Sequence, residues 1–200
     1  MKYLISTLLA LTLLSECVPA QEEKGRLEVS AFAGVQAIGT RNKDNPMAFE
    51  DWDNNGYIGL RLLYGVTSSQ SIGIRYGNGY HDHNPANKYS LAAYNPFTVI
   101  REKFWMFDLL AVYRYTLRAR MPTRLYFEVG GGIISPFRQY DSGIKGAITL
   151  ALGLKRYIGE NFSVGLEMQS IGFRQRRDMH IPGNMTVGAG SLSVVVGRLF

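Results

Sequence analysis

Trp105-Met106-Phe107-Asp108-Leu109-Leu110-Ala111-Val112-Tyr113-Arg114-Tyr115 sets the reading of the whole chain. Trp105, Phe107, Leu109, Ala111, Tyr113 and Tyr115 share one parity, and Met106, Asp108, Leu110, Val112 and Arg114 share the other. A period of two held over about ten residues marks a β-strand with one apolar face and one mixed face. Working outward, the same alternation returns at Leu27–Gln36, Tyr57–Tyr64, Ser71–Gly77, Leu125–Ile133, Ile148–Lys155, Phe162–Gln169 and Ser191–Phe200. Phe32 is off-pattern, standing on the mixed face of the first run. After residue 20 no stretch keeps the 3.6-residue apolar period of a helix.

Eight such runs are separated by connections that are alternately long (39–54, 81–103, 135–144, 174–187) and short (66–70, 117–123, 159–161). An even number of strands with short turns at one end and long loops at the other describes an all-β chain. The specific expectation is an eight-stranded antiparallel up-and-down transmembrane β-barrel. Tilted strands of about 9–11 residues cross the hydrocarbon. Both termini then sit at the short-turn end, and the long loops face the cell exterior.

Alternation alone does not say which face is inside, since a soluble lipocalin-like barrel alternates with its apolar face inward. Three features favour an apolar wall against lipid. The mixed face carries Glu28, Asp108, Glu128 and Glu167 against Arg61, Arg75, Arg114 and Lys155. Four acids meet four bases, as an interior requires and a solvated face does not, because an unpaired buried charge costs several kcal/mol. The mixed face is also rich in Gly and Ser, which makes room for long side chains in a narrow lumen. Gly130, Gly131 and Gly132 suit that crowding or a strand bend, and form no phosphate loop. Aromatics, including Tyr64, Tyr76, Tyr80, Trp105, Tyr115, Phe162 and Phe200, gather near strand ends, where membrane interfaces lie. Arg198, the exception on the apolar face, lies near enough to the end of its run to reach headgroups.

The 200 residues are 46% hydrophobic and 19% charged, which suits one folded domain. Lys2, the apolar run Leu4–Leu14 and Val18-Pro19-Ala20 read as a signal peptide over 1–20, leaving a barrel domain over 21–200. The run is too short to span a bilayer. Cys17, the one cysteine, stands after Glu16 where a lipoprotein acylation site wants a small residue; cleavage after Ala20 leaves no thiol chemistry. The formal charge is +6, and removing Lys2 and Glu16 leaves it unchanged. Export argues against nucleic acid and for lipid phosphates and acidic glycans as the anionic partners.

Leu192-Ser193-Val194-Val195-Val196-Gly197-Arg198-Leu199-Phe200 resembles the closing strand of outer-membrane barrels, with Arg198 departing from the usual apolar residue. Leu125–Ile133 and Asn161–Met168 resemble strands of the OmpA/OmpX-type barrel domains common in Bacteroidota. The resemblance implies an eight-stranded barrel in the cell outer membrane, a monomer without cofactor. It also implies Phe200 as the residue read by the barrel-assembly machinery, and no peptidoglycan-binding domain beyond it. It implies no single activity.

Other chemistry is thinly supplied. His81-Asp82-His83, at the head of a long loop, has too few ligands for a defined metal site. Ser170, Asp178 and His180, or Asp141-Ser142, are the nearest to a hydrolase set, without an H-x-S element. Arg174, Arg176 and Arg177 make the fourth long loop basic and suit the phosphates of lipopolysaccharide by bidentate contacts. The expectation is a non-enzymatic barrel with a charge-plugged lumen, acting through its long loops in adhesion, envelope integrity or ligand binding. The rivals are an outer-membrane lipid-modifying enzyme, a narrow channel for small solutes and a soluble periplasmic binding barrel.

Overall fold

The computed structural model describes residues 23–41, 49–50, 55–83, 102–117, 121–137, 143–176 and 184–200. The segment 1–20, read as a signal peptide, lies outside them. The strands are β1 (Leu27–Arg41), β2 (Phe49–Glu50), β3 (Asn55–Gly65), β4 (Gln70–His83), β5 (Glu102–Leu117), β6 (Thr123–Phe137), β7 (Lys145–Ile158), β8 (Phe162–Arg176) and β9 (Asn184–Leu199). From β3 to β9 each strand pairs antiparallel with the next. β1 pairs with both β3 and β9, so eight strands close into a barrel. The two-residue β2 only extends the loop end of β1, pairing Thr40 with Glu50 and Arg41 with Phe49.

The pairing fixes the shape. Followed straight across the ladders, Val29 leads through Leu62, Ile74, Ala111, Gly131, Ile148, Gly172 and Gly188 back to Gly39, ten residues further along β1. With a rise of about 3.3 Å per residue and strands about 4.8 Å apart, that stagger tilts the strands by about 40° from the barrel axis. A barrel of this strand number has a lumen that side chains alone can fill.

Parity sorts the side chains as the alternation predicts. Ile58, Leu60, Ile74, Leu109, Leu150, Leu166 and Val194 are exposed on the outer wall, Ile148 and Leu150 to 70% and 63%. Their neighbours of opposite parity are buried, among them Glu28, Arg61, Arg75, Asp108, Arg114, Glu128, Lys155 and Glu167. Such a wall is stable against hydrocarbon and not against water. The lipocalin-like arrangement, apolar face inward, is therefore not the one the chain adopts. Tyr64, Tyr115, Phe162 and Phe200 are exposed near the short-turn end; Tyr76 and Trp105 are exposed nearer the loop end, where the Trp105 ring lies 5.0 Å from that of Tyr80.

The strands run further toward the long loops than the alternation suggests. β4 reaches His83 and β5 begins at Glu102, so the backbone of His81-Asp82-His83 lies in a ladder opposite Phe104, Lys103 and Glu102 rather than in a loop. β1, β6, β8 and β9 likewise extend into stretches read as connections. Backbone pairing continues beyond the lipid belt, where nothing selects apolar side chains on alternate positions. At the other end the connections are tight. Val66 and Thr67 amides donate to the Gln70 carbonyl, and Gly159 turns the chain between β7 and β8 at φ 66°.

A charge on the outer wall should be poorly tolerated. Leu150→Arg, near the middle of β7, should destabilise the barrel by about 2–4 kcal/mol. Urea unfolding in lipid vesicles, followed by the gel-mobility difference between folded and boiled protein, measures it.

Candidate functional site

The lumen holds ten buried charged residues among those described: Glu23, Glu28, Asp108, Glu128 and Glu167 against Arg61, Arg75, Arg114, Arg124 and Lys155. Eight carry the sign and parity read from the sequence. Glu23 and Arg124 lie outside the alternating runs, and they keep the sum at zero.

Glu167 on β8 is the upper hub. Its carboxylate accepts from Arg61 Nη1 at 2.6 Å, from Arg75 Nη1 and from the Tyr126 hydroxyl at 2.6 Å. Arg61 passes the chain to Glu128, 3.1 Å away. Glu128 accepts from Arg114 Nη2 at 3.0 Å and Nε at 3.2 Å. The other end of the Arg114 guanidinium donates to Glu28 at 3.2 Å. Glu28 accepts from Lys155 at 2.8 Å, and Lys155 lies 2.6 Å from Glu23. Glu23 accepts from Arg124 Nη1 at 2.8 Å. The signs alternate without a break from Arg75 to Arg124, so each interior ion faces opposite charge on both sides, or on its one side at the ends. In a medium of low dielectric this ordering offsets much of the cost of desolvating the ions.

Asp108 stands apart from this chain and accepts from the Tyr57 hydroxyl at 2.8 Å. Gln169 takes Arg75 Nη2 at 2.6 Å and donates to Thr149 Oγ1 at 2.9 Å. Phe32 now has a reason: the Arg75 guanidinium lies 4.0 Å from the centre of its ring, and Tyr57 packs beside it at 5.3 Å. Arg114 stacks on Tyr126 in the same way, at 4.0 Å. Inward glycines make the space. A side chain at Gly59 would strike Phe32, at Gly77 the Tyr57 hydroxyl, and at Gly153 the Tyr126 ring. Gly130 and Gly132 share the inward parity of Glu128, and Gly131 has the outward one.

Toward the long loops the lumen is more apolar: Met106, Leu110, Ile134, Ala147, Ile171, Phe173 and Ala189 belong to one buried cluster. The cluster also takes in Val112 and Leu63, the latter opposite Glu28 in the β1–β3 ladder, and Asp108 stands among them opposite Ile134. At the opposite end Glu23 lies outside the strands. Burial pushes its carboxyl up, but the Lys155 ammonium, with hydrogen bonds from Lys155 and Tyr157, more than reverses this and holds it below the ordinary carboxylate value.

Ser170 is exposed on the outer wall, with its carbonyl accepting from Thr149; Asp141, Ser142, Asp178 and His180 lie outside the described residues. The backbones of Arg174 and Arg176 belong to the loop end of β8, opposite Thr186 and Asn184, and Arg177 lies outside the described residues. Arg198 points outward with its guanidinium 4.9 Å from the Phe200 ring and 5.4 Å from that of Phe162. Phe200 completes the closing ladder: its amide donates to the Leu27 carbonyl at 2.8 Å, and its own carbonyl accepts from the Leu27 amide at 3.2 Å.

Residues 6–200 match the model of a family described as "Outer membrane protein beta-barrel domain". No curated protein sequence matches the chain. Among solved structures the fold is similar to that of Neisserial surface protein A, with 12% identity over 88% of this chain and 99% of that one and a TM-score of 0.64. It is also similar to outer membrane protein OprG of Pseudomonas aeruginosa, with 10% identity over 88% of this chain and 96% of that one and a TM-score of 0.54.

Removing the hub should be costly. Glu167→Ala leaves Arg61 and Arg75 short of a carboxylate in a dry interior, at about 3–5 kcal/mol. Equilibrium urea unfolding measures the loss, and a double-mutant cycle with Arg75→Met should return part of it.

Proposed function

Since the chain belongs to the outer membrane protein beta-barrel domain family and resides in the cell outer membrane, we propose that it is a non-conducting, non-enzymatic barrel that works through the long connections it displays at the cell exterior. The observation that carries this reading is the filled lumen. An alternating chain of ion pairs occupies the periplasmic part, and an apolar cluster with the hydrogen-bonded Tyr57 and Asp108 the outer part. A rigid barrel with a blocked bore leaves binding and adhesion to its loops. Export through a signal peptide over 1–20, recognition of Phe200 by the barrel-assembly machinery and a monomeric state belong to the same reading.

Protein reconstituted in planar bilayers should give no persistent ionic steps above the lipid background. Sustained open-channel current from the unaltered protein would overturn the reading.

The lipid partner in this reading is lipopolysaccharide, held by its phosphates at Arg174, Arg176 and Arg177 beside the outer leaflet. Replacing all three by Gln should weaken lipopolysaccharide binding and flatten its salt dependence. Unchanged binding removes the lipopolysaccharide assignment and leaves the blocked bore standing.

A further inference from the structure

Glu23 precedes every strand, yet its side chain is buried. Three donors converge on its Oε1: Arg124 Nη1 at 2.8 Å, the Tyr157 hydroxyl at 2.7 Å and Lys155 Nζ at 2.6 Å. These donors stand on neighbouring strands, β6 and β7, and hold one another independently of Glu23. The Arg124 guanidinium lies 4.4 Å from the Tyr157 ring centre and the Lys155 ammonium 5.2 Å from it. Arg124 Nε also donates to the Met121 carbonyl at 2.9 Å, and Lys155 to Glu28 at 2.8 Å. The barrel therefore builds the receptor, and a separate piece of chain delivers the carboxylate.

That piece is held by a few backbone bonds across the short-turn mouth. Gly25 takes the left-handed conformation, φ 74°, and donates to the Gly65 carbonyl at 2.7 Å. The Arg26 amide donates to the Glu23 carbonyl at 3.0 Å, and the Gly65 amide to the Arg26 carbonyl at 3.0 Å. Arg26 Nη2 reaches Asn161 Oδ1 at 3.0 Å. A side chain at Gly65 would run into the Glu23 carbonyl, so the segment rests directly on the β3 backbone.

With Glu23 in place the described lumen holds five acids and five bases. Without it one cation is left over, and the surplus falls at the periplasmic floor, where Arg124 and Tyr157 lose their shared acceptor. A desolvated surplus charge with three converging donors takes up an anion of matching shape.

We propose that Arg124, Lys155 and Tyr157 form a carboxylate-binding site in the floor of the barrel, which the chain fills with its own Glu23 and which opens to carboxylates from the periplasm when the segment 23–26 swings out. The segment is thus a tethered ligand, and a small free acid competes with it for one receptor.

The test uses the whole barrel refolded in detergent at neutral pH. In Glu23→Ala, acetate or formate should raise the unfolding midpoint, by about 3–5 °C for each tenfold rise above its dissociation constant. Chloride at equal ionic strength should not, and the unaltered protein should not respond. Gly25→Val keeps every charged side chain, and its Cβ meets open space. It opposes only the left-handed backbone, so it should release the segment, gain the same response to acetate, and carry the test if Glu23→Ala does not refold. Adding Arg124→Met to either variant should abolish the response. Acetate acting equally on all forms, or on none, overturns the proposal, as does inorganic phosphate replacing acetate at the same concentration, since that would mean an unselective anion trap.

Discussion

A charge inside an eight-stranded tube cannot turn to water, so it must find an opposite charge, or as at Asp108 a hydrogen-bond donor, on the surrounding wall. The stagger of ten fixes how wide the tube is and which strands face each other across it. Arg61 on β3 therefore meets Glu167 on β8 and Glu128 on β6, residues far apart in the chain and in the strand order. Once pairing across the bore is obligatory, several other features follow. The acids and bases balance, ring centres lie 4.0 Å from the Arg75 and Arg114 guanidinium groups, and glycines stand where those rings pass close to the wall. The cost of losing one partner is correspondingly steep, because the remaining ion has no solvent to fall back on.

Much of this was legible in the sequence, for a simple reason. A two-residue period assigns every side chain to one wall face, and a lipid-facing wall excludes charge so strongly that Arg61, Arg75, Glu128 and Glu167 can stand only inside. Alternation makes the connections too long, because apolar selection ends with the hydrocarbon while the backbone ladder goes on, as at His81–His83. Arg124 and Tyr157 lie one and two positions beyond the runs at Leu125 and Lys155, and extending the parity would have found them. Glu23 carries no such signal, since its burial depends on a bend at Gly25 and not on a period. Pairings were beyond reach altogether. They depend on the register of eight ladders taken together, which no single stretch encodes. Phe32 shows the same limit on a smaller scale: nothing local marks a ring as the resting place of a cation from β4.

The two ends of the lumen differ in kind. Near the loops Met106, Ile134 and Phe173 belong to an apolar core, interrupted by Asp108 with its hydrogen bond from Tyr57. Near the short turns the filling is ionic down to the floor, where Lys155 and Arg124 meet the segment before β1. An ion arriving from outside would first have to cross the apolar layer, whereas from the periplasm it meets charge at once. The barrel is thus sealed by two different means.

The ladder between β1 and β9 runs from Glu28 to Arg41 and joins the two strands farthest apart in the chain. No partial sheet can close early. Until β9 docks, β1 and the growing end both present bare rows of amide and carbonyl groups, which lipid cannot satisfy and which invite mispairing with other chains. Insertion strand by strand into hydrocarbon is therefore unfavourable at every stage but the last, and biogenesis requires something to shield the two edges. The same adjacency makes the seam arbitrary: a chain with its ends joined there and reopened at another tight turn would carry the same circle of strands.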